Sequence, residues 1–129
     1  MPSLREISRY LLAIAFIIAG ANHFLSPAFY LSMMPPWLPA PNTLNLAAGL
    51  AEIAGGIGVL IPHTRRYAGI GLILVLIAIF PANLHLALNG WPGSDIPRWA
   101  LFARLPFQLI FIAWVLYSCE ILRKNPSGK

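Results

Sequence analysis

The sequence predicts an all-α integral membrane protein, a four-helix bundle with both termini cytoplasmic. Composition is the first reason: 58% of the 129 residues are hydrophobic and only 10% are charged, too little polar surface to cover a water-soluble domain. Four apolar stretches, 4–25, 44–61, 67–88 and 99–122, are the second. At ~1.5 Å rise per residue each approaches or exceeds the ~30 Å hydrocarbon thickness. The third is the distribution of basic residues. Arg5, Arg9, Arg65, Arg66, Arg123, Lys124 and Lys129 fall at the amino end, the second connection and the carboxyl end, leaving only Arg98 and Arg104 elsewhere. By the positive-inside rule the net charge of +5 reports orientation rather than nucleic-acid binding.

The first stretch is read as a retained span, since Ala19-Gly20-Ala21 leads into Asn22, His23 and Phe24 rather than into a polar mature domain. Residues 26–43 follow, with five prolines and no charge. Ser26 and Pro27 read as the cap and first position of a short helix ending before Pro35, an interfacial lid over the outer mouth of the bundle. Asn42 and Thr43 are expected to cap the second span and Pro62 to follow it. Within it Gly49, Glu52 and Gly56 share a face, where small residues let a neighbouring helix approach the acid.

The third span closes at Asn89-Gly90 and Pro92-Gly93. It carries Asn83 and His85 about 200° apart, so both face inward only if the helix relaxes near Pro81. The expectation is His85 inward, with Asn89 on its face. In the fourth span Arg104 and Gln108 share a face, and Pro106 leaves the Phe102 carbonyl free. Cys119, the single cysteine, allows no intramolecular disulfide and no Cys-x-x-Cys redox pair. Gly55, Gly58, Gly69 and Gly71 are read as faces for self-association or a partner subunit.

With the amino terminus inside, Glu52 falls ~12 Å and Arg104 ~8 Å below the outer boundary, level with the outer ends of the first and third spans. His23, Glu52, His85, Arg104 and Gln108, with Asn83 and Asn22, therefore form the expected ligand site, an outward-facing intramembrane pocket. Ionisable groups at such depth normally face a protein interior and mark function.

Each residue also has a plainer reading. Glu52 and Arg104 could neutralise one another as a structural ion pair. The histidines could bond loop backbone, and Gln108 a neighbouring helix. His23, His85 and Glu52 offer a two-histidine, one-carboxylate metal site, and His23 with His85 a haem site, neither with diagnostic spacing. Met33 and Met34 near His23 suit copper(I), though adjacent methionines more often fill apolar space. No flavin, nicotinamide or haem-attachment motif is present. A faint repeat relates Ala21-Asn22-His23 to Ala82-Asn83-Leu84-His85, one residue out of register.

Ala-Gly-Ala-Asn-His-Phe at 19–24, Met-Met-Pro-Pro-Trp-Leu-Pro at 33–39, Glu-Ile-Ala-Gly-Gly-Ile-Gly at 52–58, Pro-His-Thr-Arg-Arg at 62–66, Phe-Pro-Ala-Asn-Leu-His at 80–85 and Arg-Leu-Pro-Phe-Gln at 104–108 resemble the DoxX-like bacterial membrane proteins. The resemblance spans nearly the whole chain. It implies a four-helix bundle of the bacterial inner membrane and, from the family's naming in quinone-linked thiosulfate oxidation, a redox role; the expectation built on it is one subunit of a membrane oxidoreductase. The residues support binding of a quinone-like or other small polar molecule. The competing expectation is a carrier or assembly scaffold in which the same residues are structural.

Overall fold

A computed structural model describes residues 1–91 and 93–123. Pro92, Lys124 and Lys129, used above, lie outside the described residues. Five helices follow in order: α1 (Leu4–Leu25), α2 (Pro27–Met33), α3 (Pro41–Leu60), α4 (Arg65–Asn89) and α5 (Arg98–Ser118), with no strand among the described residues. The four long ones are each long and apolar enough to cross a membrane. The Ser3 hydroxyl opens α1 by accepting from the Glu6 amide at 3.2 Å.

Two boundaries and the path of one helix differ from those expected. Pro41 occupies the first turn of α3 behind Ala40, which sits in the left-handed region at φ 46°. Asn42 and Thr43 are thus inside the helix and do not cap it. Pro81 does not relax α4, which runs unbroken from Arg65 to Asn89. At the other chain end α5 stops at Ser118, before residue 122, and Glu120 turns the chain with φ 53°.

The long helices form a ring in which α1 meets α3, α3 meets α4, α4 meets α5 and α5 returns to α1. The α1–α3 seam is the closest. A Cβ on Gly20 would lie 2.7 Å from the Gly49 carbonyl oxygen and 2.9 Å from the Ile53 nitrogen, so glycine alone permits this approach of two backbones. The α1–α5 seam is stitched by polar bonds at the end of the bundle where α1 begins and α5 ends. There the Ser8 and Ser118 hydroxyls lie 2.6 Å apart, Trp114 Nε1 donates to Ser8 Oγ at 2.8 Å and Arg9 Nε donates to the Ser118 carbonyl at 2.7 Å. Leu12, Phe16, Val59, Leu72, Val115 and Cys119 make the apolar core.

Gly55, Gly58 and Gly69 pack within the chain, against Leu72, Ala68 and Cys119 respectively, and only Gly71 of the four faces open space. Gly69 is buried, whereas Gly55, Gly58 and Gly71 remain partly exposed along the α3–α4 seam. Around the outside, Leu11, Ile14, Ile18, Leu50, Leu74, Leu109 and Ile110 are all exposed. A continuous apolar exterior of this kind suits hydrocarbon rather than water.

At the terminal end Glu120 gathers Arg9 at 2.8 Å, Arg5 at 3.3 Å and Arg123 at 2.5 Å. Its bond from Arg123 comes first among the causes that hold its carboxyl below the usual range, with Arg9 and Arg5 adding to it. Beside it burial pushes the Cys119 thiol up to about 11, which leaves it protonated and unreactive at neutral pH.

Candidate functional site

Between the four long helices, at the end away from the termini, lies a cavity of about 430 Å³. Its walls are mostly apolar: Phe16 and Ala19 from α1, Leu76 and Ile79 from α4, Phe111 from α5. Into it reach His23, Glu52, Asn83 and Arg104, one polar residue from each long helix. Helix α2 covers one side with Phe29, Tyr30 and Met33, and Met34 follows at its end. A second cavity of about 310 Å³ shares Leu76, Ile79, Asn83, Arg104 and Phe111 with the first and adds Phe107 and Gln108.

His23 is held by its own backbone through a detour. Its carbonyl would ordinarily accept from the residue four further on, but that residue is Pro27, which has no N–H. The Asn45 side-chain amide takes the vacant place, donating Nδ2 to the His23 carbonyl at 2.9 Å. Since a carbonyl only accepts, this fixes which way the Asn45 amide points, and its Oδ1 faces His23 Nδ1 at 2.7 Å. Nδ1 must then carry a proton. The other ring nitrogen, Nε2, lies 3.3 Å from Glu52 Oε2, without the alignment of a hydrogen bond. His23 and Glu52 are both about 5% exposed. With Nδ1 protonated, the neutral ring presents a lone pair at Nε2 toward the Glu52 carboxyl.

A second chain of amides runs between α4 and α5. Gln108 donates Nε2 to the Leu76 carbonyl, which turns Gln108 Oε1 toward Asn83; Asn83 Nδ2 donates to it at 3.1 Å. What remains is Asn83 Oδ1, buried and without a hydrogen-bond partner. Arg104 stands beside it with no ion pair among the described residues; its guanidinium lies over the Trp91 ring at 5.3 Å.

Helix α2 is fastened over the cavity. Tyr30 stacks on the His23 ring, centroids 3.7 Å apart, and its hydroxyl accepts from Asn22 Nδ2 at 2.8 Å. Trp91 Nε1 donates to Ser32 Oγ at 2.9 Å while its ring meets Phe29 at 5.0 Å. Asn22 therefore serves the cavity through Tyr30 rather than by lining it.

The structure brings together His23, Glu52, Asn83 and Arg104, with Gln108 behind Asn83. It does not bring in His85, which is half-buried, bonded by Asn89 Nδ2, and absent from the cavity wall. Because α4 stays regular, two residues two apart take opposite faces, and Asn83 has the inner one. The expected metal set of His23, His85 and Glu52 is corrected by the same fact. Among the described residues no three His, Cys, Asp or Glu side chains gather to hold a metal ion, and no histidine pair flanks the cavity as haem ligation would need. Nor do Glu52 and Arg104 form the expected ion pair, for Glu52 has taken His23. The faint repeat fails at this level too, His23 facing in and His85 out.

Sequence reasoning missed Asn45, Tyr30 and Trp91 as parts of the site. Asn45 was within reach, since it extends the face of Gly49, Glu52 and Gly56 by one turn. Tyr30 and Trp91 gave no signal beyond a preference for the membrane interface.

Fold and cavity together define a helical bundle of membrane-spanning dimensions with a polar site buried among its four long helices. The chain belongs to the family described as a domain of unknown function, DUF8561, which residues 12–119 match. No curated protein and no solved structure matches it.

Proposed function

We propose that this chain is a multi-pass protein of the bacterial inner membrane, both termini cytoplasmic, that binds a quinone-like or similar small polar molecule in the buried cavity. It acts as a DoxX-like subunit of a membrane oxidoreductase. One observation carries the reading: a mostly apolar cavity of about 430 Å³ into which an arginine with no ion pair among the described residues and a buried acid–histidine pair both project. Uncompensated polar groups this deep are costly unless something fills the site, and a guanidinium suits a carbonyl or phenolic oxygen. Apolar walls with a few convergent polar groups are the usual makeup of a small-molecule site. The orientation rests on Arg5, Arg9, Arg65, Arg66 and Arg123 lying at the terminal end of the bundle.

The test is an absorption spectrum and native mass spectrum of protein purified in mild detergent. The expected result is one retained quinone per chain, lost in Arg104→Gln and Glu52→Gln. A Soret band would replace the reading with haem binding. Empty protein that takes up no added quinone would favour the second reading, a carrier or scaffold with structural polar residues. That reading draws on the Asn83–Gln108 and His23–Asn45 bonds, all of which join one helix to another.

A further inference from the structure

We infer that the site takes its ligand sideways from the bilayer, and that this ligand is an amphiphile: a quinone-like head beside Arg104 with a long apolar tail that leaves along α5 through the second cavity. The inference rests on the binding reading above and adds the class of molecule and its route.

Two approaches to the site differ in what stands in the way. At the end away from the termini, α2 lies across the main cavity and is pinned at two points, by Tyr30 stacked on the His23 ring at 3.7 Å and by Trp91 Nε1 donating to Ser32 Oγ at 2.9 Å. The second cavity, of about 310 Å³, takes its lining from α4 and α5. Leu76, Ile79, Asn83, Arg104 and Phe111 line both cavities, so the two adjoin at the arginine. Phe107, which lines the second, is 57% exposed, and Phe111 is 40% exposed. Arg104 is itself partly exposed, whereas Asn83 and Gln108 are buried. The second cavity therefore runs from a polar inner side to a surface edge made by two phenylalanines.

That edge lies at the depth of hydrocarbon. Counted from Arg98, Phe107 and Phe111 stand about 14 Å and about 20 Å along α5, near the middle of a layer ~30 Å thick. Among the described residues every hydrogen bond from α1 to α5 or to the turn after it involves Arg5, Ser8 or Arg9. None ties α5 to α1 level with the opening. A head bearing oxygens suits the guanidinium and amides of the inner side, and a hydrocarbon chain suits the phenylalanines at the edge. A water-soluble ligand would have to unpin α2 or shed its water to cross the hydrocarbon, and both are costly. A molecule already dissolved in the bilayer does neither.

The probe is a trimethylbenzoquinone whose decyl chain ends in a diazirine, added to the wild-type protein in phospholipid nanodiscs. Light fixes the end of the tail to whatever it touches, and peptide mass spectrometry finds the place. Two competitors separate head from tail: the same decylquinone without the diazirine, and decylbenzene, which has the chain without the oxygens. The expected result is label on residues 76–79 and 107–111, displaced by the decylquinone, untouched by decylbenzene and lost in Arg104→Gln. Should that variant fail to fold, the competitor pair decides. Label that only the quinone displaces but that falls on α2 or beside Trp91 would overturn the sideways route and leave the binding reading standing. Label displaced equally by both competitors, or by neither, would show a cleft that holds chains without regard to their heads, and would overturn the inference. One quinone per chain in the native mass spectrum would then still uphold the binding reading, and none would remove both.

Discussion

Replacing Asn45 with alanine isolates the bond on which the geometry of the acid–histidine pair depends. Asn45 is 2% exposed and makes two bonds to one residue, at 2.7 Å to the His23 ring and 2.9 Å to the His23 carbonyl. Neither lost partner has a substitute, because Pro27 offers no N–H to the carbonyl and the ring is buried. Interhelical hydrogen bonds in membrane bundles average ~0.6 kcal/mol and reach ~1.7. Two lost together at a fully buried position should cost about 2 kcal/mol, with a range of about 1–3. Unfolding in mixed detergent micelles, followed by tryptophan fluorescence, measures that loss. Nitrogen NMR of the labelled imidazole reads the second effect: the wild-type ring should carry its proton at Nδ1, and the variant should lose that fixed tautomer. Asn45→Asp should do no better than alanine, since it sets a carboxylate oxygen against the His23 carbonyl. A loss below ~0.5 kcal/mol with an unchanged imidazole spectrum would refute the reasoning.

Gly20→Ala should destabilise by about 1–2 kcal/mol in the same assay, because its Cβ meets backbone atoms that cannot yield, and this outweighs a helix-propensity gain of ~1 kcal/mol. Gly71→Ala, with nothing within 4 Å of the added carbon, should be neutral or stabilising. A single-cysteine probe at Gly93 should react with a reagent added outside intact cells and one at Thr64 should not; the reverse pattern would invert the proposed orientation. Glu120 has its carboxyl depressed in the folded protein, so its contribution to stability is present above the ordinary glutamate value of ~4.3 and is lost as pH falls through the lower folded value. Glu120→Gln should accordingly lower stability near neutrality, change it little at pH below the folded value and so flatten the acid limb of a stability-against-pH curve; a limb as steep as the wild type's would refute this.

The long helices were legible because hydropathy and length suffice to define a membrane-scale span, and α1 falls on the expected residues. Helix ends were less so. Asn42 and Thr43 are good caps by residue type, yet Pro41 also starts a helix well, and the left-handed Ala40 that makes room for it leaves no mark in sequence. The polar layer could be placed by depth, but depth does not say which way a side chain turns. His85, with Asn89 on its face, was expected inward, whereas the regular path of α4 through Pro81 turns Asn83 to the cavity. Equal depth likewise suggested a Glu52–Arg104 pair. The close α1–α3 seam gave Glu52 to His23 instead, and such partner choice depends on helix-to-helix distances that one sequence does not contain.

A ribosome delivers α1 before α3, and α3 well before α5, and chains acquire structure from the amino end as they emerge. Glu52 therefore meets its histidine when only the first three helices exist, across the seam that Gly20 and Gly49 bring closest. The acid need never enter a bilayer unaccompanied while it waits for Arg104, some fifty residues later in synthesis. Arg104 in turn arrives in the second turn of α5, after the α4–α5 connection has delivered Trp91, whose ring lies beneath its guanidinium. The cavity itself comes into being last, when Ser8 and Ser118, from the first and final helices, close the ring. A chain interrupted before α5 would keep the acid beside its histidine and lack the wall that carries Arg104 and Phe111.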